Sequence, residues 1–280
     1  MMKNAIRAGA ALAVLLASPA LAQDAAPPVQ PDTGGNRVTI GIGVATTPEF
    51  EGSDNNEFVP GGVIVGKVSG VDFFTRGTQL YVDVVPDAAG PGTNFELGVI
   101  GGVRLQRTGK LDDNQVEALG EIDTAYEVGG FVGVSRTGVI TSDYDVLTAR
   151  VAYVTDVGDA HGSYVITPQI NYSTPLSVST LVSLGASADY VGKGYARTYF
   201  AVTPIGTAAS GLPTYLLNDD GFKSFSLSLF GVQSLSGDLR RGLGLGAGVL
   251  YSRLLGDFKD SPIVRDAGQW SAAVGLTYTF

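Results

Sequence analysis

The chain has 280 residues, of which 16% are charged, and its formal net charge is −9. The acidic balance argues against a nucleic-acid-binding protein, because nucleic acids select basic surfaces. Since the sequence has no cysteine, a disulfide framework, a thiol nucleophile and a cysteine-based metal site are excluded. No run of about 18 apolar residues follows residue 22, so the sequence also excludes membrane-spanning helices.

The first 22 residues have the three parts of a secretory signal. Lys3 and Arg7 give a basic start, residues 8–16 form an apolar run, and residues 20–22 (ALA) form a small-x-small cleavage site. The run is too short to cross about 30 Å of hydrocarbon as a helix, which disfavours a retained anchor. We predict that residues 1–22 are removed on export, which changes the net charge from −9 to −11 because two basic residues are lost.

Residues 23–36 are rich in Ala, Pro and Gly, and they predict a disordered linker on the periplasmic side. From residue 37 onward the main pattern is an alternation of apolar with small or polar residues. In the last segment the apolar residues are Trp270, Ala272, Val274, Leu276, Tyr278 and Phe280. Because successive side chains of a strand point to opposite faces, one face is apolar with terminal aromatics. This pattern is typical of a strand that faces lipid on one side.

We therefore predict an all-β fold over residues 37–280: a transmembrane, antiparallel, up-and-down β-barrel of about twelve strands. The predicted strands are 37–46, 57–68, 71–85, 94–106, 124–136, 143–156, 162–173, 177–191, 195–204, 222–235, 239–252 and 268–280. A soluble β-sandwich or lipocalin-like barrel would show the same alternation. Its water-facing side, however, would need more charged residues than this chain has.

An even strand number places both chain ends on the periplasmic side, so counting assigns each connection to one end of the barrel. The predicted outer loops are 47–56, 86–93, 137–142, 174–176, 205–221 and 253–267, and the inner turns include 69–70, 157–161 and 236–238. Residues 107–123 fall on the inner side although the segment is long. They are interpreted as a short amphipathic helix that docks a periplasmic partner or, alternatively, as the sign of a miscounted strand.

Three segments carry a family resemblance: residues 48–54 (PEFEGSD), 210–215 (SGLPTY) and 251–264 (YSRLLGDFKDSPIV). They are similar to the P-x-Y-x-G-S-D, S-G-L-P-x-Y and R-L-x-G-D-x-x-D-S-P-I-V loops of the MltA-interacting protein/OmpV family, with Phe50 replacing the usual Tyr. The resemblance runs over essentially the whole mature chain. It implies a Gram-negative outer-membrane barrel in contact with lipid and lipopolysaccharide, without a shared catalytic residue.

The resemblance also implies partners, because the namesake is regarded as a scaffold between a lytic transglycosylase and a murein synthase. We accordingly expect a monomeric, non-enzymatic scaffold or interaction protein of the outer membrane, with no cofactor and no metal site. A narrow channel for small solutes is the alternative. A lipid-acting barrel hydrolase that uses His161 and Ser163 is a further one, since residues two apart on a strand share a face.

Two groups of residues are candidates for function. The candidate functional loop comprises Arg253, Asp257, Asp260, Ser261 and Pro262, and the alternative is a latch that folds over the barrel mouth. The candidate lumen charges are Glu96, Arg104, Glu127 and Arg150, with Asp83, Asp189 and Lys223 on the same presumed inner face.

Because buried charges must pair or be hydrated, paired lumen charges predict a plug and unpaired ones a channel lining. In the first loop, Glu51 is interpreted as a solvated acid, with Ca²⁺ binding as the alternative.

Overall fold

The computed structural model describes residues 35–87 and 90–280. Within them, twelve antiparallel strands close into a barrel in chain order, with the last strand paired to the first. The strands are β1 (Arg37–Pro48), β2 (Asn56–Val68), β3 (Val71–Arg76), β4 (Gln79–Asp83), β5 (Gly92–Arg104), β6 (Ala125–Thr137), β7 (Val146–Asp156), β8 (Tyr164–Ser177), β9 (Thr180–Val191), β10 (Gly221–Ser234), β11 (Gly242–Leu254) and β12 (Gly268–Thr279). The predicted fold class is confirmed. The predicted signal peptide, and the predicted linker up to residue 34, lie outside the described residues.

Four short helices lie in the connections at the barrel end opposite the chain termini. They are α1 (Asn114–Glu117), α2 (Lys193–Phe200), α3 (Pro204–Ser210) and α4 (Gly256–Lys259). The start of α1 is fixed by Asp113, whose carboxylate accepts the N–H groups of Gln115 and Val116. None of the helices in the described ranges is long and apolar enough to cross a membrane.

The outer surface of the barrel is apolar. On β12, Trp270, Val274 and Leu276 point outward and are exposed, whereas Gln269 and Thr277 point inward and are buried. The same alternation runs along the neighbouring strands, so exposed Val, Leu, Ile and aromatic side chains surround the barrel. Soluble proteins rarely expose so large an apolar surface, which is the surface that a lipid bilayer covers.

Two predicted strands differ from the structure. The predicted strand 71–85 is the hairpin β3–β4, with a turn at Gly77 and Thr78. The inward-facing positions change from even to odd across this turn, since Arg76 and Gln79 are both buried. The predicted strand 195–204 is also wrong, because its first six residues belong to α2. Tyr195 and Tyr199, four residues apart, lie on one face of that helix.

The two miscounts cancel in the total of twelve, but every connection between them was assigned to the wrong barrel end. The predicted outer loops 86–93 and 137–142 correspond to connections at the end with the chain termini. Residues 174–176 belong to β8, whose turn at 178–179 lies at that same end. Conversely, the predicted inner segments 107–123 and 157–161 lie at the opposite end. Of the two interpretations of residues 107–123, the miscounted strand is therefore the correct one.

Candidate functional site: the closed mouth of the barrel

We call the barrel end opposite the chain termini the mouth. Four segments fold over it, and we call them the cap: residues 49–55, 105–124, 192–220 and 255–267. They share one cluster of buried side chains, made of Phe50, Leu111, Val116, Val202, Leu212 and Ile263. Each cap segment contributes to this cluster. The three segments that resemble the family loops and the segment 107–123 therefore build one structural unit.

Polar contacts also join the cap segments. The Arg265 guanidinium donates to the Asp113 carboxylate at 2.7 Å and to the Gln115 side chain at 2.9 Å, which ties residues 255–267 to the start of α1. The Ser261 hydroxyl donates to the Phe200 carbonyl at 2.6 Å. The hydrogen bond from Arg265 holds the pKa of Asp113 below its ordinary value.

The candidate functional loop lies within this unit. Asp257 and Asp260 are exposed, Ser261 is buried in the contact with α2, and Pro262 is half-buried. Arg253, at the mouth end of β11, is exposed. Arg265, in the same segment, pairs with Asp113 rather than with Asp257 or Asp260. In the structure the loop is folded as a latch across the mouth.

Below the cap, Lys223 holds two acids together inside the barrel. The ladder between β9 and β10 shifts register between Phe222 and Ser224, and this bulge turns the Lys223 side chain inward. Its Nζ lies 2.5 Å from a Glu51 carboxylate oxygen and 3.2 Å from Asp189. The expectation that Glu51 is a solvated acid is wrong, since it is only 2% exposed.

Tyr195 on α2 joins this group to a second one. Its hydroxyl lies 3.1 Å from both oxygens of the Glu51 carboxylate and 3.4 Å from Nη1 of Arg104. Burial raises the pKa of Tyr195, so the phenol stays neutral and its O–H donates a hydrogen bond to the carboxylate. Arg104 in turn pairs with Glu127 at 2.7 Å, and Gln79 donates to the same carboxylate at 2.6 Å.

A third group lies deeper, between β5 and β7. Arg150 pairs with Glu96 at 2.6 Å, and its guanidinium lies over the rings of Phe74 and Phe131 at 4.7 and 5.0 Å from their centroids. The structure thus places all four candidate lumen charges inside the barrel, buried and in two ion pairs.

Two voids that adjoin these charged side chains are small. One, beside Arg76, Arg104 and Asp189, measures about 20 Å³, and another, beside Asn171 and Ser187, measures about 10 Å³. A cavity needs roughly 10–15 Å³ to hold one water molecule. These voids are therefore too small to carry hydrated ions past the charges.

His161 lies at the mouth, not in the inner turn that the sequence predicted. Its ring is fully buried between Tyr195 and Tyr199, with Nε2 3.6 Å from a Glu127 oxygen. The imidazole makes no hydrogen bond to Ser163, and the Asp156 carboxylate accepts the backbone N–H groups of His161 and Gly162 instead. The nucleophile–base arrangement of a hydrolase is not formed here. Among the described residues, no cluster of three or more His, Asp or Glu residues is suited to hold a metal ion.

The sequence pattern did not identify Tyr195, Gln79 or the buried role of Glu51. The four-residue spacing of Tyr195 and Tyr199 next to Ala196 was the available signal for an inward helix face. Glu51 and Lys223 are 172 residues apart, and no local pattern relates them.

The closed barrel, its lipid-facing exterior and its folded cap define a transmembrane β-barrel protein with a filled mouth. A model of the family described as MltA-interacting protein MipA matches residues 40–280. The chain therefore belongs to this family, as its loop motifs predicted. No curated protein matches the chain significantly.

Several solved structures are similar at low identity. The outer membrane channel DcaP of Acinetobacter baumannii is 9% identical, with 91% of this chain and 100% of that chain covered and a TM-score of 0.39. The toluene transporter TodX of Pseudomonas putida is 10% identical, with 89% and 90% covered and a TM-score of 0.34. The translocator domain of the autotransporter NalP from Neisseria meningitidis is 15% identical, with 89% and 90% covered and a TM-score of 0.37. Similarity at this level carries no information about function.

Proposed function

We propose that this chain is a monomeric barrel of the Gram-negative outer membrane that acts as a non-enzymatic interaction protein. The observation that carries the proposal is the filled interior. The cap closes the mouth, and the buried ion pairs Arg104–Glu127 and Arg150–Glu96 occupy the space below it. A mouth and a charged interior closed in this way leave no path for polar solutes, so the loops are the surfaces on which a protein partner binds.

The orientation in the membrane determines which loops meet a periplasmic partner. In bacterial barrels with an even strand number, both chain ends lie on the periplasmic side. The connections 138–145 and 235–241 then face the periplasm, and the cap faces outward. Residues 107–123 belong to the cap, so in this orientation they face away from the periplasm and are not the periplasmic docking element.

The family description supports a lytic transglycosylase of the MltA type as the partner. The resemblance of the loop motifs implies a murein synthase as the second partner of the scaffold. We propose loop 138–145 as the contact. The buried Asp145 carboxylate accepts the N–H groups of Val139 at 2.6 Å and Ile140 at 2.8 Å, which fixes the loop conformation. Ile140 and Tyr144 remain exposed on it. A preorganised loop with an aliphatic and an aromatic side chain has the properties of a binding hot spot.

The test is capture of a purified MltA-type transglycosylase by the refolded barrel. The double variant Ile140→Ser/Tyr144→Ser should bind about tenfold more weakly or worse, because the two apolar anchors are lost. The matched control is Ile205→Ser/Leu216→Ser, which removes two exposed apolar side chains from the cap and should leave capture unchanged. Absence of binding by the unsubstituted barrel would contradict the proposal, and so would loss of binding in the control alone.

A further inference from the structure

The barrel wall has a short seam beside β2. On one side β2 pairs with β1 along its length, from Asn56 to Lys67. On the other side its ladder with β3 includes only residues 65–68. One position further, the Ile64 N–H donates to the Thr75 hydroxyl at 3.0 Å, and Ile64 has no pair in the β2–β3 ladder. The part of β2 nearest the mouth thus has one edge outside any ladder among the described residues.

The sequence suits an open edge at this place. Residues 59–63 read VPGGV, and Pro60, which has no N–H group, is confined to strand edges and bulges. A Cβ atom added to Gly61 would meet no heavy atom within 4 Å. Across the seam, the hairpin turn is fastened to β5 by a hydrogen bond from the Thr78 hydroxyl to the Val103 carbonyl. The hairpin is therefore attached to β5 along the whole of β4 and at its tip, and to β2 only near its base.

An apolar cavity of about 160 Å³ adjoins the seam on the inside. Gly61 and Val63 of β2 line it from one side of the seam, and Thr75 and Gly77 of the hairpin line it from the other. Its remaining lining comes from Phe230 and from β1, β11 and β12, whose inward glycines and outward Ile42, Val44, Val274 and Leu276 both contribute. No charged side chain lines this cavity, in contrast to the voids near Arg76 and Arg104.

The cavity lies at the level of the lipid-facing wall. Ile42 and Val44 on β1 and Leu276 on β12 belong to the same stretch of wall and are exposed on its outside. A sheet edge is tolerated at membrane depth only where it is buried in protein or lines a cavity. An opening here connects the hydrocarbon phase with the cavity without passing the cap.

We propose that the seam between β2 and the β3–β4 hairpin is a lateral entry, through which a hydrocarbon group from the membrane enters this cavity. Its volume matches engineered apolar cavities of about 150 Å³ that bind benzene. The ligand is thus a hydrocarbon the size of one aromatic ring or a chain end of similar volume. It comes either from a lipid acyl chain or from a small apolar molecule dissolved in the bilayer.

The experiment places a fluorescent reporter in the cavity. The sole tryptophan lies outside the barrel, so Trp270→Phe combined with Phe230→Trp moves the indole inside. The barrel is refolded in vesicles, once with chain-brominated phospholipid and once with plain phospholipid plus bromobenzene. Bromine quenches an indole that it touches. Quenching by the lipid alone identifies an acyl chain, quenching by bromobenzene alone identifies a small apolar ligand, and either result supports the entry.

A blocking variant tests the route. Gly61→Phe places a ring in the part of the cavity beside the open edge and should reduce the quenching at least threefold. Gly101→Phe is the matched control, since a Cβ atom there also meets no heavy atom within 4 Å and Gly101 points outward on β5. It should leave the quenching unchanged. Equal quenching in the two glycine variants would overturn the proposal. Quenching by aqueous iodide but by neither brominated probe would do the same, because it would indicate a water-filled cavity.

A second measurement does not depend on the reporter. Benzene should raise the unfolding temperature of the unsubstituted barrel, because a ligand that binds only the folded state stabilises it. The same benzene concentration should shift Gly61→Phe at most half as far as Gly101→Phe. No shift in the unsubstituted barrel would count against the cavity as a binding site. The transglycosylase capture described above tests a different surface, so either proposal can fail alone.

Discussion

The interior of the barrel has two contrasting sides. On the side of β4 to β9, long charged and aromatic side chains such as Arg104, Glu127 and Arg150 fill the space and pair with one another. On the side of β11, β12, β1 and β2, glycines and alanines leave a cavity of about 160 Å³. The same alternating pattern builds both sides. Side-chain volume at the inward positions decides whether the barrel is filled by paired charges or keeps an apolar space.

The largest change in the free energy of unfolding is expected when a buried charge is removed from the filled side. In Lys223→Ala, Glu51 and Asp189 lose the ammonium group that lies between them and stay buried. We expect a loss of about 3–5 kcal/mol in the free energy of unfolding, because uncompensated buried charges are costly. Denaturant unfolding of the refolded barrel measures it. Lys259→Ala, at the exposed end of α4, is the control and should have little effect. Equal stability of the two variants would contradict the buried role of Lys223.

The second largest effect on stability is expected from a substitution in the cap. Ile263→Ala removes a fully buried side chain from the cluster that joins the four cap segments. The expected cost is about 3 kcal/mol, since the side chain loses its burial and leaves a cavity. The effect should be local, with faster hydrogen exchange in residues 105–124 and 255–267 and unchanged exchange in the strands. Uniformly faster exchange would show that the cap and the barrel unfold as one unit.

Two glycine substitutions compare the packing of the filled side with the packing of the cavity side. A Cβ atom on Gly133, in the filled side, would lie 2.9 Å from both the Ala149 carbonyl oxygen and a Glu96 carboxylate oxygen. Gly133→Ala should therefore cost about 1–3 kcal/mol through overpacking. Gly61→Ala, at the cavity, should change the unfolding free energy by less than about 1 kcal/mol. If denaturant unfolding gave equal costs, the difference in packing between the sides would be refuted.

The smallest expected effect is a pH response of the cap. The hydrogen bond from Arg265 lowers the pKa of Asp113, so the contact contributes stability above the unfolded value of about 3.9. That contribution is lost as the pH falls through the lower pKa of the folded state. The protection of the α1 amides against hydrogen exchange, relative to the unfolded chain at the same pH, should accordingly decrease below about pH 4. Asp113→Asn should exchange faster at neutral pH and lack this response. A response that persists in Asp113→Asn would assign it to another group.

Local patterns predicted most of the strands but not the hairpin or the inward helix. The apolar–polar alternation in residues 71–85 continues on both sides of a two-residue turn. The turn is visible only in the inward-facing positions, which change from even numbers at Arg76 to odd numbers at Gln79. The aromatic residues of 195–204 suit a strand and a buried helix face equally, so tertiary packing decides the outcome. Because of the miscounted hairpin, the sequence pattern placed residues 107–123 at the wrong end of the barrel.

The charges were predicted to face inward because a strand has a period of two. Their pairing was not predictable, since Arg104 with Glu127 and Arg150 with Glu96 depend on strand register. Register follows from the closed barrel rather than from either segment alone. The inward position of Lys223 depends in addition on a bulge, which shifts one residue of β10 out of the ladder.

The most direct test of the closed interior is single-channel conductance of the refolded, unsubstituted barrel in a planar bilayer. The cap and the two buried ion pairs predict a folded barrel, with a heat-dependent shift in gel mobility, that shows no stable conductance. A discrete, ion-selective conductance would contradict the closed interior, and it would assign Arg104, Arg150, Glu96 and Glu127 to the lining of a channel.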